Sequence, residues 1–200
     1  MPSPDRLDSQ GTRLLRLARA SIEHGLLHGV PLPVDLAELP APFSSPRATF
    51  TTLRLDGELR GCCGTLEATD PLAIDVARSS FRAGFRDPRF APVGEPELDA
   101  VRLEVSVLSP LEALHVVDEA DLLKRLVPRT DGLVIAEGGR RATFLPKVWE
   151  SLPDPEQFLG ALKIKCGLPA DYWSERLAFF RYGTTTCADP DSRPCRRSTA

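Results

Sequence analysis

Two tight-turn signals constrain this chain most, because each one joins two β-rich runs. Asp56-Gly57 lies between ATFTTLRL and ELRGCCGTL, and Gly138-Gly139 lies within DGLVIAEGGRRATFLP. Two-residue loops of this composition form the turns that connect neighbouring antiparallel strands. Antiparallel hairpins are therefore predicted at two places in the chain.

Helical patterns and single strands alternate with these hairpins. Apolar residues recur at helical spacing from about Ser9 to His28. Further helices are predicted after Asp70 and Asp118, each acting as an N-cap, and before Gly167. Strands are predicted in VRLEVSVLSP, LEALHVV and LAFFRYGTTT. Because no long βαβ series is visible, the sequence predicts an α+β fold with an antiparallel or mixed sheet and flanking helices.

Composition and charge exclude several classes of partner. The chain has 200 residues, of which 42% are hydrophobic, so it can bury a core. The net charge of -3 offers no basic field for nucleic acid or a membrane surface. No apolar run approaches the roughly 20 residues that span a bilayer, and the N-terminus lacks the pattern of a signal peptide. A cytoplasmic protein with no nucleic-acid or membrane partner is predicted.

Three segments are predicted along the chain. Residues 1–8 form a disordered N-terminus, residues 9–185 form a single domain, and residues 186–200 form a flexible C-terminal tail. No internal repeat or linker divides residues 9–185.

Cysteine usage argues against metal and disulfide sites. The five cysteines are odd in number and scattered, which does not suit a disulfide framework. No Cys-x-x-Cys pair is present to start a structural zinc site. Gly-x-Gly-x-x-Gly, phosphate-loop and radical SAM cysteine motifs are missing as well. The sequence therefore predicts no metal and no cofactor.

The stretch LRGCCGTL, which follows the first turn, carries the main candidate site. In an extended strand, alternate side chains point to opposite faces. The two faces are Arg60, Cys62 and Gly64 on one side, and Leu59, Gly61 and Cys63 on the other. The two cysteines are thus not expected to bind one metal together, and Cys63 is expected to pack as a small hydrophobe.

Cys62 has two interpretations. A guanidinium beside it, from Arg60, would favour the reactive thiolate. Gly61 and Gly64 would leave the backbone open to close approach by a ligand. These features indicate a reactive or ligand-contacting Cys62. The alternative is a glycine-flanked bend in a strand with two buried thiols, since free cysteines are among the most buried residues.

Other polar residues are candidates for the same site. Glu104 and Ser106 share one face of VRLEVSVLSP, where Glu104 would serve as general base or orient Arg60. The alternative is a solvated face of an antiparallel sheet. Thr143 is a candidate ligand-binding hydroxyl, with β-propensity as its alternative explanation. Lys163 is expected to be a solvated charge.

The hexapeptide LRGCCG resembles the hallmark Leu-Arg-Gly-Cys-Ile-Gly of the AMMECR-one domain family, whose bacterial and archaeal members are often called AmmeMemoRadiSam system protein A. Similar segments follow in order: FRDPRF, LEVSVLSP, DGLVIAEGGRRATFLPKVWE and LKIKCGLPADYW. The resemblance covers about residues 10–185. Cys63 stands where the family usually has isoleucine and Cys166 where small residues are usual, so both are expected to be structural.

The resemblance implies an α+β fold with a larger and a smaller lobe, and it places Cys62 and Arg60 near a cleft. Members are associated with Memo-like proteins and radical SAM enzymes, and a joint modification pathway has been inferred from this association. No settled activity comes with the family. The Arg-Gly-Cys stretch itself supports one hypothesis, an enzyme or enzyme subunit that binds a small molecule or the end of a peptide in the cleft. Cys62 would be its nucleophile or covalent carrier, Arg60 would activate the thiolate or hold an anion, and Glu104 would do acid–base work. The alternative is a non-catalytic protein-interaction module.

Overall fold

The structure is a computed structural model that describes residues 4–190. The chain forms two compact units. The first contains the residues up to Leu108 and from Thr185 onward, and the second contains Ser109–Thr184. The predicted larger and smaller lobes of an α+β fold are confirmed. A single domain over residues 9–185 stays a prediction.

Helices and strands alternate along the chain. The α-helices of the described residues are α1 (Pro4–His28), α2 (Ala41–Ser44), α3 (Leu72–Phe85), α4 (Glu119–Arg125) and α5 (Pro155–Lys165). The strands are β1 (Thr49–Leu55), β2 (Glu58–Gly64), β3 (Arg102–Leu108), β4 (Glu112–Leu114), β5 (Gly132–Glu137), β6 (Arg140–Phe144), β7 (Ala178–Tyr182) and β8 (Thr184–Ala188). Each unit has a four-stranded sheet, in the order β2-β1-β3-β8 in the first and β4-β7-β5-β6 in the second.

The first predicted hairpin is confirmed. β1 and β2 pair antiparallel across Asp56 and Gly57, whose φ angles of 53° and 84° suit a tight two-residue turn. The register shifts once, because Leu53 lies opposite Gly61 whereas Arg54 lies opposite Leu59. Arg60 is therefore the extra residue of a β-bulge.

The core of the first unit lies between its sheet and the helices α1 and α3. Leu53 of β1 and Leu103 of β3 are fully buried against apolar residues that include Ile22 and Val76. Burial of one such side chain contributes about 1.5–3 kcal/mol, so this face of the sheet is strongly specified.

The start of α3 differs from the prediction. Asp70 does not cap the helix. Pro71 occupies the N-cap position without a side-chain hydrogen bond, and Asp70 pairs with Arg78 instead. The reason is a bridge between Pro46 and Pro71, which keeps Pro71 extended with ψ at 142° and delays the helix to Leu72.

The second unit confirms the other turn and cap predictions. Gly138 and Gly139 have φ angles of 55° and 81° and join β5 to β6. Asp118 accepts the backbone N–H of Asp121 at the start of α4. Gly167, with φ at 77°, follows the end of α5. The core includes Trp149 stacked on Phe158, with ring centroids 3.8 Å apart.

The chain ends differ from the predicted boundaries. α1 begins at Pro4, ahead of the predicted start near Ser9. The single strand predicted in LAFFRYGTTT is two strands, β7 and β8, which flank Gly183 and belong to different sheets. β8 continues to Ala188, past the predicted domain end at residue 185. Residues 1–3 and 191–200, within the predicted disordered ends, lie outside the described residues.

Lys163 is not a solvated charge, contrary to the prediction. Its side chain is fully buried on α5, and Nζ lies 2.7 Å from Oε2 of Glu119 and 5.9 Å from the ring centroid of Trp173. Helical periodicity explains the difference, because Leu159 and Leu162 bring the same side of α5 into the core.

Candidate functional site

The candidate site is built on a row of three residues across the first sheet. Thr52 of β1 lies directly opposite Cys62 of β2 and Glu104 of β3. Residues paired in this way share a sheet face. Since Leu53 and Leu103 point into the core against α1 and α3, this row lies on the opposite face.

A second row lies beside the first. Phe50 of β1 lies opposite Gly64 and Ser106, and the Ser106 hydroxyl is 2.9 Å from the Thr186 hydroxyl of β8. Four of the residues predicted for the site therefore share one sheet face: Cys62, Gly64, Glu104 and Ser106.

The row has a buried polar character. Glu104 and Thr52 are 6% and 9% exposed, and the Thr52 hydroxyl donates a hydrogen bond to Sγ of Cys62 at 3.5 Å. Burying polar groups on the side away from the apolar core costs free energy unless each is paired. Placing such groups together is typical of a surface that recognises a ligand.

Arg60 does not continue the face of Cys62, because the bulge interrupts the predicted alternation. Its Nε lies 2.7 Å from Oε1 of Glu97, and its other nitrogens donate to Oε2 of Glu97 and to the carbonyls of Ala91 and Pro92. This pairing lowers the pKa of the Glu97 carboxyl. Arg60 thus holds the loop of residues 91–97 against β2. A ligand contact at Arg60 stays a prediction.

Asp87 and Arg89 occupy the edge of β2 at Cys62. The Asp87 carboxylate, only 5% exposed, accepts the backbone N–H of Cys62 at 2.9 Å. Arg89 donates to both Asp87 oxygens, at 2.9 and 2.7 Å, and its Nη2 is 3.5 Å from the Cys62 carbonyl. The two side chains act on the backbone of Cys62 as a neighbouring strand would. Neither residue is predicted for the site from its chemistry, although both lie in the segment FRDPRF.

The Asp87–Arg89 pair predicts a measurable pH dependence. The hydrogen bonds from Arg89 lower the pKa of Asp87 from 3.8 to about 2. A lowered carboxyl pKa stabilises the folded state above the unfolded pKa and loses that effect as pH falls through the folded pKa. We expect Asp87→Asn to be less stable than the wild type by about 1–2 kcal/mol at pH 6, after allowance for the solvent exposure of Arg89. The difference should shrink between about pH 4 and pH 2.

Urea titrations of both proteins across this range measure the difference in the free energy of unfolding. Asp70→Asn is the control variant, because Asp70 also pairs with an arginine, Arg78, but is more exposed than Asp87. It should change the free energy of unfolding by under about 1 kcal/mol. If the difference in the free energy of unfolding between the wild type and Asp87→Asn did not change with pH, this would contradict the Asp87–Arg89 ion pair.

The two glycines of the motif pack against protein groups. A Cβ on Gly61 would lie 2.2 Å from the carbonyl oxygen of Ala83 in α3, and one on Gly64 would lie 2.4 Å from the ring of Phe50. The space left by each missing side chain is therefore filled. Ligand contact at Gly61 and Gly64 stays a prediction, restricted to their backbone atoms.

The predicted structural role of Cys63 and Cys166 is confirmed. Cys63 packs against the first core, and burial raises the pKa of its thiol. Cys166 is buried in the second core, and burial raises its pKa as well. Cys187, assigned to the flexible tail by the sequence, lies in β8. Its thiol donates to the Val105 carbonyl, and burial raises its pKa to about 11.

Thr143 lies in the second unit, on β6. Its hydroxyl donates to the Leu133 carbonyl at 2.9 Å and lies 2.7 Å from the hydroxyl of Tyr182. Burial raises the pKa of Tyr182 to about 12, so this phenol stays protonated as a hydrogen-bonding group. A ligand contact at Thr143 stays a prediction.

Two cavities lie away from Cys62. One of about 630 Å³ is lined by α1 and β8 residues that include Leu14 and Cys187. The other, of about 440 Å³, is lined in the second unit by Glu137, Tyr172 and Arg176. Within residues 4–190, no three histidine, cysteine or acidic side chains are grouped to hold a metal ion. No helix of this range has the length and apolarity needed to cross a membrane.

Comparisons with known proteins find one matching family and several similar proteins. The sequence profile of the AMMECR1 family matches residues 15–187. Protein MJ0810 of Methanocaldococcus jannaschii is 36% identical over 181 residues, which cover 86% of this chain and 87% of the relative. A protein of Thermotoga maritima is 32% identical over 163 residues, which cover 80% of this chain and 88% of the relative. The crystal structure of uncharacterized protein PH0010 from Pyrococcus horikoshii matches with a TM-score of 0.82 at 30% identity, over 88% of this chain and 89% of that one.

Proposed function

This chain belongs to the AMMECR1 family, and we propose that it binds a small molecule or the end of a peptide on the sheet face that carries Cys62. The observation that supports this proposal is the row of Cys62, Thr52 and Glu104 across three adjacent strands. It unites a nucleophile, a hydroxyl and a carboxylate on a face that the apolar core does not use.

Each residue of the row has a role in the proposal. Cys62 acts as nucleophile or covalent carrier, and the Thr52 hydroxyl stabilises its thiolate by donating to Sγ. Glu104 does acid–base work on the bound ligand. Arg89, rather than Arg60, is the cation beside Cys62, since its Nη2 lies 3.5 Å from the Cys62 carbonyl whereas Arg60 binds Glu97.

The wider setting is also proposed. The family resemblance supports a cytoplasmic component of a modification pathway with Memo-like and radical SAM proteins as partners. In such a pathway, the Cys62 face would receive or present the molecule that is modified.

Cysteine alkylation tests the reactive site. We expect iodoacetamide at pH 7.5 to label Cys62 faster than it labels N-acetylcysteine amide, which is a fully exposed reference thiol. Cys187 should label slowly, because burial raises its pKa to about 11. Mass spectrometry of time points gives the rate at each cysteine, and Cys62→Ser identifies the Cys62 adduct.

A non-catalytic protein-interaction module is the second candidate. The described hydrogen bond to the Cys62 thiol comes from a hydroxyl and not from a histidine base, which favours recognition over chemistry. Labelling of Cys62 no faster than that of N-acetylcysteine amide would refute the nucleophile, and retention of partner binding by Cys62→Ser would then support the module.

A further inference from the structure

Arg89 is held in one orientation beside Cys62. Its Nε and Nη2 form a fork with the two oxygens of the buried Asp87, and its guanidinium carbon lies 5.4 Å from the ring centroid of Phe90. A guanidinium fixed in this way loses little rotational entropy when it binds another group. It is preorganised for a ligand.

One edge of this guanidinium is open. The hydrogen bonds of Arg89 to other described residues use Nε and Nη2, and Nη1 has no partner among residues 4–190. The side chain is 54% exposed, and its Nη2 lies 3.5 Å from the Cys62 carbonyl. Because Asp87 already occupies the Nε and Nη2 fork, a ligand carboxylate would accept from Nη1, as a charge-assisted hydrogen bond.

Arg82 is a second cation near this end of β2, and its buried Nε has no hydrogen-bond partner among the described residues. The charged and ionisable side chains that act on the adjacent Cys63 thiol are Asp87, Cys62, Arg82 and Arg89. Two guanidinium groups are therefore balanced by only one carboxylate for as long as the Cys62 thiol is protonated.

We propose that the ligand of the Cys62 face carries a carboxylate and that Arg89 binds it through Nη1. The inference rests on the proposed function and adds its substrate class. Arg89 would place the carboxylate beside the Cys62 thiol, so the reacting carbon would lie close to that carboxylate. Asp87 is the positioning residue, because it fixes the guanidinium.

Two alkylating agents that differ in charge test this proposal. Iodoacetate carries a carboxylate and iodoacetamide does not, whereas both form the same C–S bond and release iodide. The measured quantity is the rate constant for iodoacetate divided by that for iodoacetamide. We expect this ratio at Cys62 to exceed the ratio for N-acetylcysteine amide by about 5-fold at low salt, as a unit charge a few ångströms away would produce. The excess should fall as salt screens the charge.

Variants assign the effect to Arg89. Arg89→Gln should lower the ratio to that of the reference thiol, whereas Arg16→Gln, which removes an exposed charge on α1, should leave it unchanged. An unchanged ratio in Arg89→Gln would overturn the proposal. If Arg89→Gln does not fold, the wild-type protein alone tests the proposal. A wild-type ratio that does not change with salt would overturn the proposal.

The ratio separates this inference from the proposed function. Both rate constants are measured at the same sulfur, so the thiolate fraction cancels. Slow labelling of Cys62 with a raised, salt-sensitive ratio would refute the nucleophile but support the carboxylate site. Fast labelling of Cys62 with a ratio equal to that of the reference thiol would support the nucleophile but refute the carboxylate site.

Discussion

Replacing Gly61 with alanine is expected to lower the free energy of unfolding by about 3 kcal/mol or more. The added Cβ would lie 2.2 Å from the carbonyl oxygen and 3.1 Å from the carbonyl carbon of Ala83. Both atoms belong to the backbone of the buried helix α3, so no flexible side chain can move aside. Either β2 separates from α3 or the helix shifts, and both changes disturb Cys62. Urea denaturation followed by circular dichroism measures the loss.

A glycine in the second unit provides the matched control. In Gly160→Ala the new Cβ on α5 would lie 3.7 Å from Cβ of Ala170, an ordinary contact. Alanine is the better helix former, so this variant should gain about 0.5–1 kcal/mol. Wild-type stability in Gly61→Ala would show that β2 does not approach α3 so closely.

Local signals explain why much of the fold is predictable from the sequence. The Asp56-Gly57 turn depends on two residues with positive φ, and the cap at Asp118 depends on an N–H three residues ahead. The core position of Cys63 follows from strand alternation together with the isoleucine usual at that place. Each of these features requires only neighbouring residues, so the sequence carries the whole signal.

The site was less predictable because its contacts are distant in sequence. Asp87 caps the N–H of Cys62 from 25 residues away, and Arg60 meets Glu97 across 37 residues. Strand alternation placed Arg60 beside Cys62, but the bulge displaced it. Arg89 took the adjacent position only because the loop after α3 returns to the edge of β2. Such geometry depends on tertiary packing and leaves no periodic pattern in the sequence.

The segment FRDPRF was the available signal for Asp87 and Arg89. It lies between a helix and a proline-rich loop, where a charged pair has an ordinary surface interpretation. What distinguishes this pair is the burial of Asp87, which no composition or spacing reveals.

Removing the Asp75 carboxylate is expected to cost about 4 kcal/mol. Asp75 is 1% exposed at the first turn of α3, and it accepts hydrogen bonds from the backbone N–H and hydroxyl of Thr49 and from the hydroxyl of Thr65. Asp75→Ala leaves a buried N–H and a buried hydroxyl without partners, and each costs about 1–3 kcal/mol. The carboxylate also joins the ends of both strands of the β1–β2 hairpin to α3, so its loss should loosen the sheet that carries Cys62.

Asp75→Asn is the informative comparison, because its amide oxygen can accept from Thr49 while its NH₂ donates to the Thr65 hydroxyl. Burial raises the pKa of Asp75, so the folded state binds its proton more tightly than the unfolded state. The stability of the wild type relative to Asp75→Asn should therefore fall as pH rises from 3.8 through that raised pKa. We expect Asp75→Asn to lose under about 1 kcal/mol at pH 7 in urea titrations. An equal loss in the Ala and Asn variants would mean that the charge itself, and not the set of hydrogen bonds, joins the hairpin to the helix.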